Sequence, residues 1–163
     1  MIVVSDTGPL IALAKVNNLS LLKHLFGQIH IPPAVYRELL AKTGPEAERL
    51  DDALAEFITV TATPPVPLEV ATATARLGSG EKQAVALAYE RGALLLIDDR
   101  QGRSAAQRLG IVVSGVVGVL LQAKAAGLVS SVRALLDEMR FQGYWLSDEV
   151  ITAAIRWAGE NDD

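Results

Sequence analysis

Ala93-Leu94-Leu95-Leu96-Ile97-Asp98-Asp99 is the stretch on which the fold turns. It is an unbroken apolar run closed by two acids. With no polar alternation along it, it reads as a strand buried on both faces. A helix precedes it, from Gly80 to about Arg91, with Ser79 as its cap and Gly92 as its stop. Another helix follows to Leu109 and ends at Gly110. Ile111-Val112-Val113 is the next strand, and a helix from Val116 to about Ala126 ends at Gly127.

The N-terminal half has the same grammar. Ile2-Val3-Val4 is a short β-branched run ending in Ser5-Asp6, and it reads as a second buried strand. Helices are expected over Pro9 to about Val16, with Pro in the first turn, and over Leu19 to Phe26. A brief strand spans Gln28 to Ile31. Pro32-Pro33 opens a helix to about Ala41, and another runs from Pro45 to about Ala55. Phe57 to Val60 is a strand, and Thr61 to Pro67 is a Pro/Thr-rich loop. Two helices, about 130–141 and 147–158, come last. Apolar strands separated by helices imply an α/β fold with a parallel sheet covered on both faces.

Composition narrows the function classes. A chain of 163 residues is expected to form one domain over 1–163. Half of it is hydrophobic and 5% aromatic, so the core rests on Leu, Val, Ile and Ala. The lack of cysteine excludes a disulfide framework and thiolate-bound zinc, and it fits a reducing, cytoplasmic setting. The start of the chain lacks the basic region of a secretory signal. The longest apolar run, Ile111 to Leu121, is far short of the roughly 20 residues that span a bilayer, so no membrane association is expected. A formal net charge of −4 argues against phosphate binding over the whole surface and requires any basic contacts to be local.

In parallel sheets, ligands bind beyond the carboxyl ends of the strands. Ser5-Asp6-Thr7 and Asp98-Asp99-Arg100 lie at two such ends. Glu81 falls in the first turn of its helix. Glu38, three residues after Val35 and one before Leu39, borders an apolar helix face. Clustered carboxylates repel one another unless a cation sits among them. Magnesium and manganese, hard ions that prefer oxygen ligands, are the natural candidates. The chemistry such a site supports is phosphodiester hydrolysis, with one ion lowering the pKa of a water and a second, about 4 Å away, stabilising the leaving oxygen.

Each acid also has a structural alternative. Asp6 can be an Asx-turn residue. Glu81 can simply favour a helix N-terminus. Glu38 can be solvated, and Asp98-Asp99 can be a turn plus an N-cap. Gly78-Ser79-Gly80-Glu81-Lys82 lacks the spacing of a phosphate loop. Neither His24 nor His30 belongs to a Ser/His/Asp arrangement. Tyr144-Trp145 reads as an aromatic pair packing the last helices onto the body or onto another subunit, rather than as a base-stacking platform.

Taken in order, four segments resemble the motifs of the PIN-domain ribonucleases, in particular the short prokaryotic PIN-like proteins related to toxins of VapC type. They are Val4-Ser5-Asp6-Thr7-Gly8-Pro9-Leu10, Pro32-Pro33-Ala34-Val35-Tyr36-Arg37-Glu38-Leu39, Gly80-Glu81-Lys82-Gln83-Ala84, and Leu94-Leu95-Leu96-Ile97-Asp98-Asp99-Arg100. The resemblance covers about residues 1–125. Many relatives carry Asp where this chain has Glu81. A phosphatase of the haloacid-dehalogenase type, which also opens with a strand and an Asp, needs a second Asp where Gly8 stands.

The resemblance implies a three-layer α/β/α fold with a central parallel sheet of about five strands, and a helical extension over 128–160. It implies that Asp6, Glu38, Glu81 and Asp99 surround Mg²⁺ or Mn²⁺. Spacing from Glu81 favours Asp99 over Asp98 as the fourth acid, with Asp98 retained as a further ligand. Thr7 and Ser5 would orient a carboxylate or water, and Arg100 and Arg103 would pair with phosphate oxygens. The implied activity is that of a metal-dependent endoribonuclease acting on RNA, as the toxin of a type II toxin–antitoxin pair. Its partners would be a small antitoxin protein and a second copy of the chain. The alternative is a catalytically weak or inactive PIN-like nucleic-acid-binding protein.

Overall fold

The β-branched and leucine runs form five short parallel strands: β1 (Val3–Ser5), β2 (Ile29–Ile31), β3 (Ile58–Val60), β4 (Leu94–Leu96) and β5 (Val113–Ser114). The structure is a computed structural model that describes residues 1–161. Asp162 and Asp163, the end of the expected 1–163 domain, lie outside the described residues. The helices are α1 (Thr7–Lys15), α2 (Ser20–Phe26), α3 (Pro33–Leu40), α4 (Pro45–Glu56), α5 (Leu68–Ala73), α6 (Ser79–Arg91), α7 (Arg100–Arg108), α8 (Val116–Ala125), α9 (Val132–Phe141) and α10 (Asp148–Trp157).

Strand order is β3-β2-β1-β4-β5. The chain lays β1, β2 and β3 outward in one direction, then returns to place β4 on the other side of β1. The order therefore reverses between β1 and β4, which is where a parallel sheet opens a crevice at its carboxyl edge.

Neighbouring residues of one strand face opposite layers. Val3 and Leu96 pack in a core cluster with side chains of α1, α2, α8 and α9, including Leu10, Leu22, Leu120 and Leu136. Val4, Leu95 and Ile97 pack in a second cluster with Val85 and Leu87 of α6 and Ala106 of α7. Two apolar layers on one sheet make this the expected α/β/α sandwich. None of the helices among the described residues is long and apolar enough to cross a membrane.

Local differences from the sequence expectations have physical causes. β1 begins one residue later than expected because Ile2 is partly exposed at the sheet's rim. β5 covers Val113–Ser114 rather than Ile111 to Val113, with Ile111 packed in the second cluster and Val112 exposed. Gly78, in extended conformation, holds the N-cap position of α6, so Ser79 is the first helical residue and does not cap it. α5 lies in a stretch that no periodic pattern marks; its Val70 is fully buried, and the Thr74 hydroxyl donates to the Val70 carbonyl at 2.7 Å.

Candidate functional site

β1 and β4 pair in register, Val3 with Leu94, Val4 with Leu95 and Ser5 with Leu96. The ladder continues one step further, with the Asp6 N–H donating to the Leu96 carbonyl at 2.8 Å. Asp6 and the Asp98-Asp99 pair therefore leave the same edge of adjacent strands, at the switch point of the sheet.

Asp6 occupies the N-cap position of α1, yet its side chain makes no capping bond. It is 5% exposed. Burial pushes its carboxyl up to about 7 from the ordinary 3.8; the Thr7 N–H works against this, while the charges of Glu81, Glu38 and Asp99 add to the rise. A buried anion that feels three other carboxylates sits inside one electrostatic cluster. Ser5 beneath it is fully buried, and its hydroxyl donates to the Asp6 carbonyl at 2.8 Å. Ser5 thus fixes the turn and cannot touch a substrate.

Glu38 is brought in by α3. The Thr7 hydroxyl donates to Glu38 Oε2, which ties the start of α1 to α3. The Ala34 N–H donates to Gln83 Oε1 at 2.8 Å, which ties α3 to α6. Gly80 makes this approach possible, since a Cβ there would collide with the Glu38 carboxylate. The role of that glycine is close packing of two helices, not phosphate binding. Glu81 folds back over the start of its helix, where a Cβ on Gly78 would stand 2.9 Å from its Oε2.

The two adjacent acids after β4 have different jobs. Asp99 is exposed and caps α7, its Oδ2 accepting from the Gly102 N–H at 2.7 Å. Asp98 turns inward. Its Oδ1 accepts from the Val116 N–H at 3.0 Å and its Oδ2 from the Tyr144 hydroxyl at 2.7 Å. Both of its oxygens are committed to the protein, which leaves Asp98 as a brace between α8 and the C-terminal region. Burial raises the Asp98 pKa, while Tyr144, Val116 and Arg103 oppose the rise.

Arg103 is half-buried and donates to the Ile97 carbonyl at 2.8 Å. It supports Asp98 from within instead of reaching for phosphate as expected. Arg100 is exposed and available. His30 bonds to Thr61 at 2.9 Å and takes no part.

Tyr144, expected from the sequence only to pack the last helices, reaches the acidic edge. Its hydroxyl bonds Asp98 and lies where a Cβ on Gly8 would be 3.2 Å away. Burial, followed by the charge and hydrogen bond of Asp98 and the charge of Asp6, pushes its phenol well above the ordinary range. Of the aromatic pair, only Tyr144 packs the C-terminal region onto the body, and it does so at the acidic edge. Trp145 is 81% exposed.

The donor set is right in kind for a hard divalent cation, and its mutual repulsion is what such a cation relieves. The side-chain positions are looser: among the described residues, no three His, Asp or Glu groups stand together as ligands. Glu38 is turned to Thr7 and Asp99 to Gly102.

A family model, DUF3368, described as a PIN domain, matches residues 2–160. The chain belongs to this PIN-domain family. The match includes the C-terminal helices, so the region of Tyr144 is part of the domain. PIN domains are generally of nuclease type, typically use divalent metals and bind nucleic acid. One solved structure similar to this PIN domain is a PilT N-terminus domain protein, SSO1118, from the hyperthermophilic archaeon Sulfolobus solfataricus P2. The TM-score is 0.54 at 20% identity, with 80% of this chain and 97% of that chain covered, a likeness of fold. No curated protein matches this PIN domain in sequence.

Proposed function

We propose that this PIN domain is an Mg²⁺- or Mn²⁺-dependent endoribonuclease. The observation that carries the reading is the approach of Glu38, Glu81 and Asp99, from three other elements, to the buried carboxylate of Asp6 at the switch point of the sheet. A cation held there would supply Lewis acidity and a lowered water pKa. The chain's own groups do the rest. Asp6 presents a desolvated carboxylate whose charge is poorly satisfied by protein donors. The Thr7 hydroxyl orients Glu38. The cap bond of Asp99 occupies Oδ2 and leaves Oδ1 without a donor among the described residues. Asp98, held by Tyr144 and Val116, keeps the Asp99 turn in place. Arg100, one residue beyond Asp99, is exposed and would pair with a phosphate.

By its resemblance the chain would be a cytoplasmic toxin neutralised by a small antitoxin, and a homodimer. Exposed apolar side chains in the C-terminal part, Phe141, Trp145 and Trp157, would give such partners a surface. A second reading, an inactive nucleic-acid-binding PIN domain, is favoured by the absence of a closed ligand set among the described residues. Cleavage of a single-stranded RNA by the wild-type chain with Mn²⁺, lost on chelation and in Asp6→Asn, supports the nuclease. No cleavage, with RNA binding equal in the two proteins, refutes it.

A further inference from the structure

Beside the acidic edge, α5 and α7 enclose a groove of about 690 Å³. Three arginines line it: Arg76 just after α5, and Arg100 and Arg108 on α7. Arg100, Ser104 and Arg108 recur every fourth residue, so they share one face of α7. The chain has 19 acidic residues against 15 basic ones, yet no Asp or Glu lines this groove. All three arginines are exposed, and none forms an ion pair among the described residues. Three unpaired cations gathered on a net-negative protein repel one another, and a polyanion relieves that repulsion.

The groove borders the carboxylate set. Arg100 follows Asp99 directly. Leu77, which also lines it, precedes the Gly78 that Glu81 covers. The other lining side chains are small or polar, Thr72, Ala73, Ala75, Gln101 and Ser104, and none is aromatic. Such a surface has guanidinium forks for phosphate oxygens but no platform on which bases could stack. Of its lining residues only Leu77 has a large apolar side chain, so the groove offers no row of spaced apolar anchors for an amphipathic helix.

We propose that this groove holds the sugar–phosphate backbone of single-stranded RNA to one side of the bond placed at the acidic site. The inference rests on the nuclease reading. Contacts to phosphate carry no sequence information, so the groove sets affinity and strand path and leaves base choice to other surfaces.

The test uses the full chain bearing Asp6→Asn, with labelled single-stranded RNA of mixed sequence in Mg²⁺, read by fluorescence anisotropy across a salt series. Adding Arg76→Ala and Arg108→Ala should weaken binding at least tenfold at low salt. The slope of log K against log salt should become shallower by about 0.7 for each phosphate that the protein no longer neutralises. Lysine at both positions should restore most of the slope. Arg91→Ala, on α6 and already paired with Glu90, should change nothing. Unchanged affinity and slope in the double alanine variant, with an unchanged melting curve, would overturn the proposal. So would tighter binding of polyglutamate than of RNA by the same arginines.

Hydrolysis of a small phosphodiester such as bis(p-nitrophenyl) phosphate by wild-type protein with Mn²⁺ tests the nuclease reading separately. Hydrolysis together with arginine-independent RNA binding overturns the groove alone. Arginine-dependent binding without hydrolysis of either substrate overturns the nuclease reading and with it the position beside a scissile bond, and shows the groove to be an RNA-binding surface only.

Discussion

Asp6→Asn should make the metal-free protein more stable at neutral pH while removing its activity. Burial and three neighbouring carboxylates raise the Asp6 carboxyl from the ordinary 3.8 to about 7. In the unfolded chain Asp6 loses its proton near pH 3.8, but the folded protein keeps it to about pH 7. Between those values the native state binds more protons than the unfolded state, so stability falls as pH rises through the window. Above about pH 8 the full cost is present. At about 1.4 kcal/mol per pH unit of displacement, it is on the order of 4 kcal/mol. Asp6 is 5% exposed, so solvent screening removes little of it. Asparagine has the same shape and no charge. In a domain of this size the gain corresponds to a melting temperature higher by on the order of 10 °C. Thermal melts of both proteins in EDTA, from pH 4 to 9, measure it. The two should melt together near pH 4 and diverge steadily to pH 8. A variant no more stable than wild type at pH 8, or a gap that does not close toward pH 4, would refute this account of the cluster.

Tyr144→Phe removes the hydroxyl that holds buried Asp98; a loss of about 1.5–3 kcal/mol in urea unfolding at pH 7 is expected, and a loss below about 0.5 would mean the bond is not made in solution. Gly80→Ala should cost about 1–3 kcal/mol despite alanine's better helix propensity, because its Cβ collides with Glu38, and a stabilised variant would show that α3 and α6 are not in close contact. Glu160 is pushed up by burial but held down to about 2 by Lys124 and by the N–H groups of Arg133 and Val132 at the start of α9. Allowing for its partial exposure, Glu160→Gln should lose about 2 kcal/mol at pH 7. That difference should disappear as pH falls from about 4.5 toward 2, and a pH-independent loss would point to packing instead.

The sheet was legible because its strands are buried on both faces and so have no polar alternation to blur them. Asp6 and Asp99 were legible for the same reason, since each is the first charged residue after an apolar run or lies next to it. Glu38 and Glu81 were placed by helix position and by resemblance. What escaped depends on contacts distant in sequence. α5 is six residues long with one fully buried side chain, too short to declare a period, and it is held by tertiary packing. Tyr144 lies 46 residues from its partner Asp98, and nothing local announces the pairing. Arg103 sits on the same helix as Arg100, and only the fold turns one inward and leaves the other outside.

The structural and chemical readings of these acids turn out not to compete. Asp99 caps α7 and belongs to the carboxylate cluster around Asp6. Asp6 belongs to the same cluster and caps nothing. The two should therefore respond differently to paired substitutions. Asparagine caps a helix about as well as aspartate, whereas alanine costs about 1 kcal/mol. Asp99→Asn should keep wild-type stability or gain slightly from relieved repulsion, and Asp99→Ala should lose about 1 kcal/mol relative to it. At Asp6 no cap is at stake, so the asparagine variant should gain stability because only charge is removed. RNA cleavage should vanish in all three. Measuring unfolding and cleavage on the same samples separates the two roles of Asp99. If Asp99→Asn is inactive but fully stable, the cap does not explain the need for the acid. If Asp99→Asn instead cleaves as wild type does, Asp99 is a cap alone, and the catalytic set contracts to the acids on α3, α6 and the end of β1.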